Sequence, residues 1–331
     1  MKFGEMPDGS EVSRHRIEGG GLVAHVLSFG AAVQELTLSG HEAPLTLGFE
    51  DLASYLVDDS YFGAIVGRCA NRIGQGQFKI DGTAYQVDRN FEGRHHLHGG
   101  SEGAGRRNWI VESVAQDRIT LRLDLADGEM GYPGNMTARC TYACLDGGVL
   151  DVRLEAKTEA PTVCNFAHHS YWNLDGGPTT RDHVMQINAD SMTDVDYDFI
   201  PTGQSRDVTG TRYDFRVERP IHDEVFIDNN LCLSDERQAL RRIGSLRSLK
   251  SGVSMEIRST EPGLQVYDGF KLAPASRGLG GRVYEANAGI ALEPQLWPDA
   301  INQEGFPNAI LRPGETYSQQ TQFSFSKGNA L

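Results

Sequence analysis

The run His168-His169-Ser170-Tyr171-Trp172-Asn173-Leu174 gathers two imidazoles, two aromatic rings and an amide within seven residues. An imidazole titrates near neutrality, so a positioned histidine can give or take a proton at working pH. Flat aromatic rings beside it suit the face of a sugar. If the run is extended, His169, Tyr171 and Asn173 share one face and His168, Ser170 and Trp172 the other, so one histidine at most faces a given pocket. The plainer reading of either imidazole is a structural, hydrogen-bonded core histidine.

Further polar residues stand where a strand would ordinarily be plain. In Gly263-Leu264-Gln265-Val266-Tyr267 the amide and phenol of Gln265 and Tyr267 share a face, opposite Leu264 and Val266. In Ala291-Leu292-Glu293-Pro294-Gln295, Glu293 and Gln295 share a face, and Pro294, which cannot donate to a ladder, marks an edge or the end of pairing. Glu293 is then either a cleft carboxylate or a solvated acid on an edge strand. In His95-His96-Leu97-His98-Gly99-Gly100 the residues His96 and His98 fall on one strand face, a spacing that could also bind a metal. Against that, no cysteine pair has chelating spacing, and the Gly-Gly suggests a turn bringing backbone close to a ligand. Gly99 to Gly105 lacks the Gly-Lys-Ser/Thr ending of a phosphate loop and reads as a flexible connection. Arg68 and Arg72 are ordinary surface charges or a fork for paired sugar hydroxyls. Arg237, Arg241, Arg242, Arg247 and Lys250 read as a solvated face.

The elements that must carry these residues are mostly strands. Glu11 to Leu47 consists of short apolar or alternating runs punctuated by glycine, and Ile119–Leu125 and Val149–Ala156 alternate with period two. Helical spacing is confined to Asp51–Leu56 and to Arg237–Leu249, with apolar Leu240, Ile243, Leu246 and Leu249. No linker, repeat or low-complexity tract divides the 331 residues, which read as one all-β domain, 1–331. The 45 acidic residues against 31 basic ones give a formal charge of -14, which disfavours nucleic acid and anionic membrane. Five cysteines without a CxxC pair fit a reducing compartment, and the N-terminus has no signal-peptide core. A cytoplasmic protein without membrane spans is expected.

Together these runs resemble the aldose 1-epimerase (galactose mutarotase) family, in the same order over almost the whole chain. The segments that carry the likeness are YFGAIVGRCANRIGQGQFKIDGTAYQV from Tyr61, LHGG from Leu97, HHSYWNLDG from His168, IPTG from Ile200, GTRYDFR from Gly210, FIDNNLCL from Phe226, EPGLQVYDG from Glu261 and ALEPQLWPDAINQEGFPNAILRPGETY from Ala291. The resemblance implies a large antiparallel β-sandwich with a sugar cleft on one concave face. It implies Glu293 as general base, His169 as the acid at the ring oxygen and His98 as the second active-site histidine. Asn71, Arg72, Asp228 and Gln265 take the sugar-binding positions. His168 departs from the Asn usual before the acid histidine, and Cys69 and Asp268-Gly269-Phe270-Lys271 also differ from commoner forms.

The implied reaction is anomer interconversion of a free aldose. Glu293 removes the C1 hydroxyl proton and His169, as imidazolium, protonates the ring oxygen, so the ring opens and recloses on the other face without a cofactor or metal. A nearby carboxylate would favour charged His169, and apolar walls would raise the Glu293 pKa. The expected partner is the aldose alone, with a monomer or homodimer. Two rivals are a non-catalytic carbohydrate-binding protein on the same sandwich and a metal-dependent sugar isomerase or lyase. A hexose-phosphate epimerase finds no dedicated basic pocket.

Overall fold

A computed structural model describes residues 1–221 and 226–328. Alternation dominates locally, and it shows which faces pair. In the strand Arg118–Leu125, Ile119, Leu121, Leu123 and Leu125 are buried while Arg118 and Asp124 are exposed. Val149–Thr158 buries Leu150, Val152, Leu154 and Ala156 in the same manner. Among the described residues these strands belong to a nine-stranded antiparallel sheet. Its order is Ile110–Val114, Arg118–Leu125, Met136–Leu145, Val149–Thr158, Tyr317–Lys327, Val253–Ser259, Arg241–Ser248, His183–Ile187, Arg219–Pro220. A six-stranded sheet runs Tyr171–Trp172, Ile290–Gln295, Gly263–Tyr267, Asp228–Cys232, Ser191–Val195, Pro201–Asp207.

The two sheets are joined by one apolar cluster that includes Leu121, Leu154, Ile257 and Phe323 from the larger and Leu231, Leu264, Val266 and Leu292 from the smaller. Trp172, fully buried, packs its ring 4.6 Å from that of Phe323. One face of the six-stranded sheet is thereby committed to the core, and the residues between, Gln265 and Glu293, must face the other way. A four-stranded N-terminal sheet spanning Lys2–Glu5, Glu11–Gly19, Leu22–Leu27 and Val33–Leu38 flanks this sandwich. The large antiparallel β-sandwich expected from the sequence is the fold observed.

The short helix Leu52–Val57 begins where Asp51 accepts the Ser54 amide at 2.8 Å, satisfying an N-terminal donor. The helical spacing of Arg237–Leu249, by contrast, is overturned: the segment contains the strand Arg241–Ser248. Its register against Val253–Ser259 slips between Arg242 and Gly244, and this bulge lets Ile243 and Leu246, three apart, both turn inward. Nor is its basic residue Arg237 solvated. It binds Glu261, itself 0 % exposed, through two contacts at 2.7 and 3.1 Å.

Candidate active site

Glu293 and Gln265 stand directly opposite each other in neighbouring strands, with Gln265 also opposite Asn230 on its far side. On the strand Ile290–Gln295, pairing with Tyr171–Trp172 stops at Ala291, so Pro294 lies past the end of that ladder, as its missing N–H predicts. Glu293 is 2 % exposed, which removes the solvated-acid reading. Gln295, on the same face, is buried outside the cavity that Glu293 lines.

That cavity has a volume of about 270 Å³, and it brings together Glu293, His169, His98, Asn71, Arg72, Asp228 and Gln265. The run from His168 divides its side chains as alternation requires. His169 and Tyr171 line the cavity, whereas His168 turns into the core, 3.2 Å from the Tyr142 hydroxyl and beside Trp172 and Phe323. Asn173 instead bonds the carbonyls of Gly177 and Ala288 and leaves the site.

His96 and His98 do not share a face. The strand His96–Leu97 ends before His98, whose φ of 53° reverses the chain. His96 therefore turns to the Asp88 carbonyl and the Tyr132 hydroxyl, 2.6 Å from each, with both ring nitrogens engaged. His98 enters the cavity. The Asn71 amide donates to its Nδ1 at 3.2 Å, which places the proton of the neutral ring on Nε2 as a donor. The following glycines are packed against protein rather than a ligand: a Cβ on Gly99 would lie 1.7 Å from the Gly67 carbonyl oxygen. The stretch to Gly105 is likewise not a loose connection, since Gly103, Ala104 and Gly105 are buried and the Ala104 amide bonds Gly67.

Neither arginine of the Gly67–Ile73 run is a surface charge. Arg68 donates to the carbonyls of Ala126, Pro133 and Gly134 and has a structural part. Arg72 reaches Asp228 at 3.0 Å and lies over the rings of Phe91 and Phe199. Asn71 spends its side-chain oxygen on the Arg72 amide, and Gln265 donates to the other Asp228 oxygen at 2.6 Å. Arg72, Asp228 and Gln265 thus form a fixed polar wall of donors and acceptors.

At the floor, His169 Nε2 lies 3.5 Å from Glu293 Oε1, and the His98 and His169 rings meet edge to face at 5.1 Å. Burial raises the Glu293 pKa well above the usual carboxylate value, with the Asp228 charge adding to the rise. Burial also lowers His169 to about 4 and drives His98 well below its ordinary value. The rise of Glu293 is as the sequence reading supposes. The favouring of charged His169 is not: loss of water outweighs the neighbouring charges. Burial thus favours the protonated acid and the neutral base, so the pair shares one proton.

His98, His169 and Glu293 each offer a donor atom within 4.8 Å of the others, so these three, rather than His96 with His98, could hold a metal ion. Tyr61, Phe91, Tyr267 and Lys271 also line the cavity. Tyr267 was legible from its place two residues after Gln265. The others come from loops whose paths no periodicity specifies.

The aldose 1-epimerase family pattern matches residues 13–324. Galactose mutarotase from Homo sapiens is 38% identical over 98% of this chain and 97% of its own length. The aldose 1-epimerase of Escherichia coli (strain K12) is 30% identical over 92% of each. Among solved structures, a GalM/aldose epimerase homologue from C. elegans superposes with a TM-score of 0.90 at 33% identity, covering 96% of this chain and 100% of that one. With the sandwich, the cavity and a likeness spanning almost its full length in agreement, the chain belongs to the aldose 1-epimerase family.

Proposed function

We propose that the protein interconverts the α and β anomers of a free aldose, with Glu293 and His169 as the proton-transfer pair. The observation that carries the assignment is their 3.5 Å contact in a cavity that Asn71, Arg72, Asp228 and Gln265 line together with aromatic rings such as Tyr61, Phe91 and Tyr171. O1 and O5 of a pyranose share C1, so a base and an acid a few ångströms apart address both atoms together. Glu293 as carboxylate takes the O1 proton while C1=O1 forms and the C1–O5 bond breaks. His169 delivers its proton to O5. After rotation about C1–C2 the same steps run backward on the other carbonyl face, and the pair ends with the one proton it began with. Burial favours that proton on Glu293, and its transfer to His169 across the contact creates the reactive form. Each positioned transfer is worth about 10²–10⁴-fold. Asp228, Arg72, Asn71 and Gln265 hold the remaining hydroxyls, and His98 Nε2–H supports charge near the ring oxygen.

The whole chain, 1–331, is read as one unit serving this site, since a single apolar cluster links both sheets. No helix among the described residues is long and apolar enough to cross a membrane. Five free, buried cysteines support a reducing compartment, and the cytoplasm is the proposed location. The lining residues described all come from one chain, an arrangement that either a monomer or a homodimer accommodates.

A second reading rests on the His98, His169 and Glu293 cluster, whose spacing suits a metal. Anomer exchange of fresh glucose or galactose, followed by NMR before and after dialysis against EDTA, separates the two. Proton transfer by the pair predicts unchanged exchange after dialysis. Exchange lost on dialysis and restored by a divalent cation would reject it, and no exchange in either sample would leave a sugar-binding protein.

A further inference from the structure

The two chain segments that bring His169 and Glu293 together are ladder-paired over only two residue pairs, Tyr171 with Ala291 and Trp172 with Ile290. That pairing stops two residues short of each catalytic side chain. On the side toward Ala167, the backbone of His169 turns away instead and bonds Ala64 and Gly63. A 3.5 Å contact between groups on separately held segments needs ties beyond the ladder; farther along, the Leu296 amide bonds Asn165 Oδ1 at 3.0 Å, and a second tie lies nearer the pair.

The strand Tyr317–Lys327, from the other sheet, supplies one. The Phe166 amide, three residues before His169, donates to the Tyr317 hydroxyl at 3.1 Å. That hydroxyl donates to Gln319 Oε1 at 2.7 Å, and Gln319 Nε2 donates to the carbonyl of Pro294, the residue after Glu293, also at 2.7 Å. Tyr317 and Gln319 are 4 % and 3 % exposed, so water does not compete for these bonds. Burial also keeps the phenol protonated, as the relay requires. The Arg237 guanidinium, fixed by Glu261, lies 4.5 Å over the Tyr317 ring and holds it in place. Neither residue lines the sugar cavity.

We infer that Tyr317 and Gln319 are positioning residues: one hydrogen-bonded bridge, Phe166 to Tyr317 to Gln319 to Pro294, sets the separation of His169 and Glu293 from behind. The ladder at Tyr171 and Ala291 and this bridge bracket the pair from its two ends. The carbonyl of Pro294 can serve as anchor because pairing with Tyr171–Trp172 has already ended there. This rests on the acid–base reading above and concerns only how that pair is held.

The test compares Tyr317→Phe, Gln319→Met and the double variant with the parent in polarimetric assays, alongside Ile257→Ala, a core control elsewhere in the same sheet. Tyr317→Phe keeps the ring and its packing, so it carries the test even if Gln319→Met does not fold. The bridge predicts kcat lower by about tenfold or more in each single variant with KM nearly unchanged, because geometry at the reacting atoms is lost and the binding wall is not. The double variant should lose no more than the worse single, since both interrupt one relay. A parent-like kcat in Tyr317→Phe, or the same kcat loss in Ile257→Ala, would overturn the inference. An inactive parent would instead overturn the acid–base reading itself.

Discussion

His168 and His169 are neighbours with opposite fates. Both are buried, but only His169 reaches Glu293, and His168 meets Tyr142, Trp172 and Phe323. Replacing His169 with Asn should cut turnover by about 10²–10⁴-fold, the usual yield of one positioned proton transfer. His168→Asn should leave polarimetric turnover within a few-fold, and the reverse ranking would show that His168 rather than His169 carries the proton. The single proton on the pair also fixes a pH profile. Below about 4 His169 takes a second proton while Glu293 keeps its own, so the base is lost and kcat/KM should fall on acidification near that value. On the alkaline side activity should persist until Glu293, raised by burial, releases the shared proton. An acid limb near 6.5, the ordinary imidazole value, would show that His169 titrates in water. The division of these two histidines is legible, because an extended chain alternates. The division of His96 from His98 is not, because the positive φ at His98 breaks the two-residue period of a strand.

At the scale of elements, the strands that present Gln265 and Glu293 are legible from a polar residue set between apolar ones, and Pro294 lies on the flank where pairing with Tyr171–Trp172 has ended while the ladder to Gly263–Tyr267 runs through it. Arg237–Leu249 misled because a bulge at Arg242–Gly244 gives a strand the three-residue spacing of a helix. The connections were least legible. Gly99 and Gly100 suggest a backbone approach to ligand, but Gly99 approaches the Gly67 carbonyl and Gly100 the Met130 side chain. Gly99, at φ 92°, would need to place a Cβ 1.7 Å from that carbonyl, so the loop presenting His98 depends on it. Gly99→Ala should therefore destabilise by about 3 kcal/mol or more, combining strain with overpacking, visible as a lowered Tm. A parent-like Tm would show that the loop relaxes freely.

Across the whole molecule, the all-β class followed from alternation and glycine punctuation. The partition into nine-stranded and six-stranded sheets did not, because register between distant strands is set by packing rather than by local pattern. The same deep core that creates the site also makes buried imidazoles sensitive to acid. His168 is lowered by burial to about 3, so between roughly 6.5 and 3 the unfolded chain binds a proton there that the folded one refuses. Stability from this group is present above 6.5 and is lost as pH falls. His168→Asn should flatten the stability curve in that window by up to about 1.4 kcal/mol per pH unit relative to the parent. Identical slopes in urea unfolding at several pH values would contradict the burial assigned to it.

The most direct test of the pair is polarimetry of freshly dissolved α-galactose with Glu293→Gln, together with sugar binding by calorimetry on the same sample. Gln matches Glu in shape but cannot accept the O1 proton as a carboxylate does. The geometry predicts mutarotation reduced to the uncatalysed rate while sugar still binds through the Arg72, Asp228 and Gln265 wall. Turnover close to that of the parent would show that the proton leaves O1 by another group.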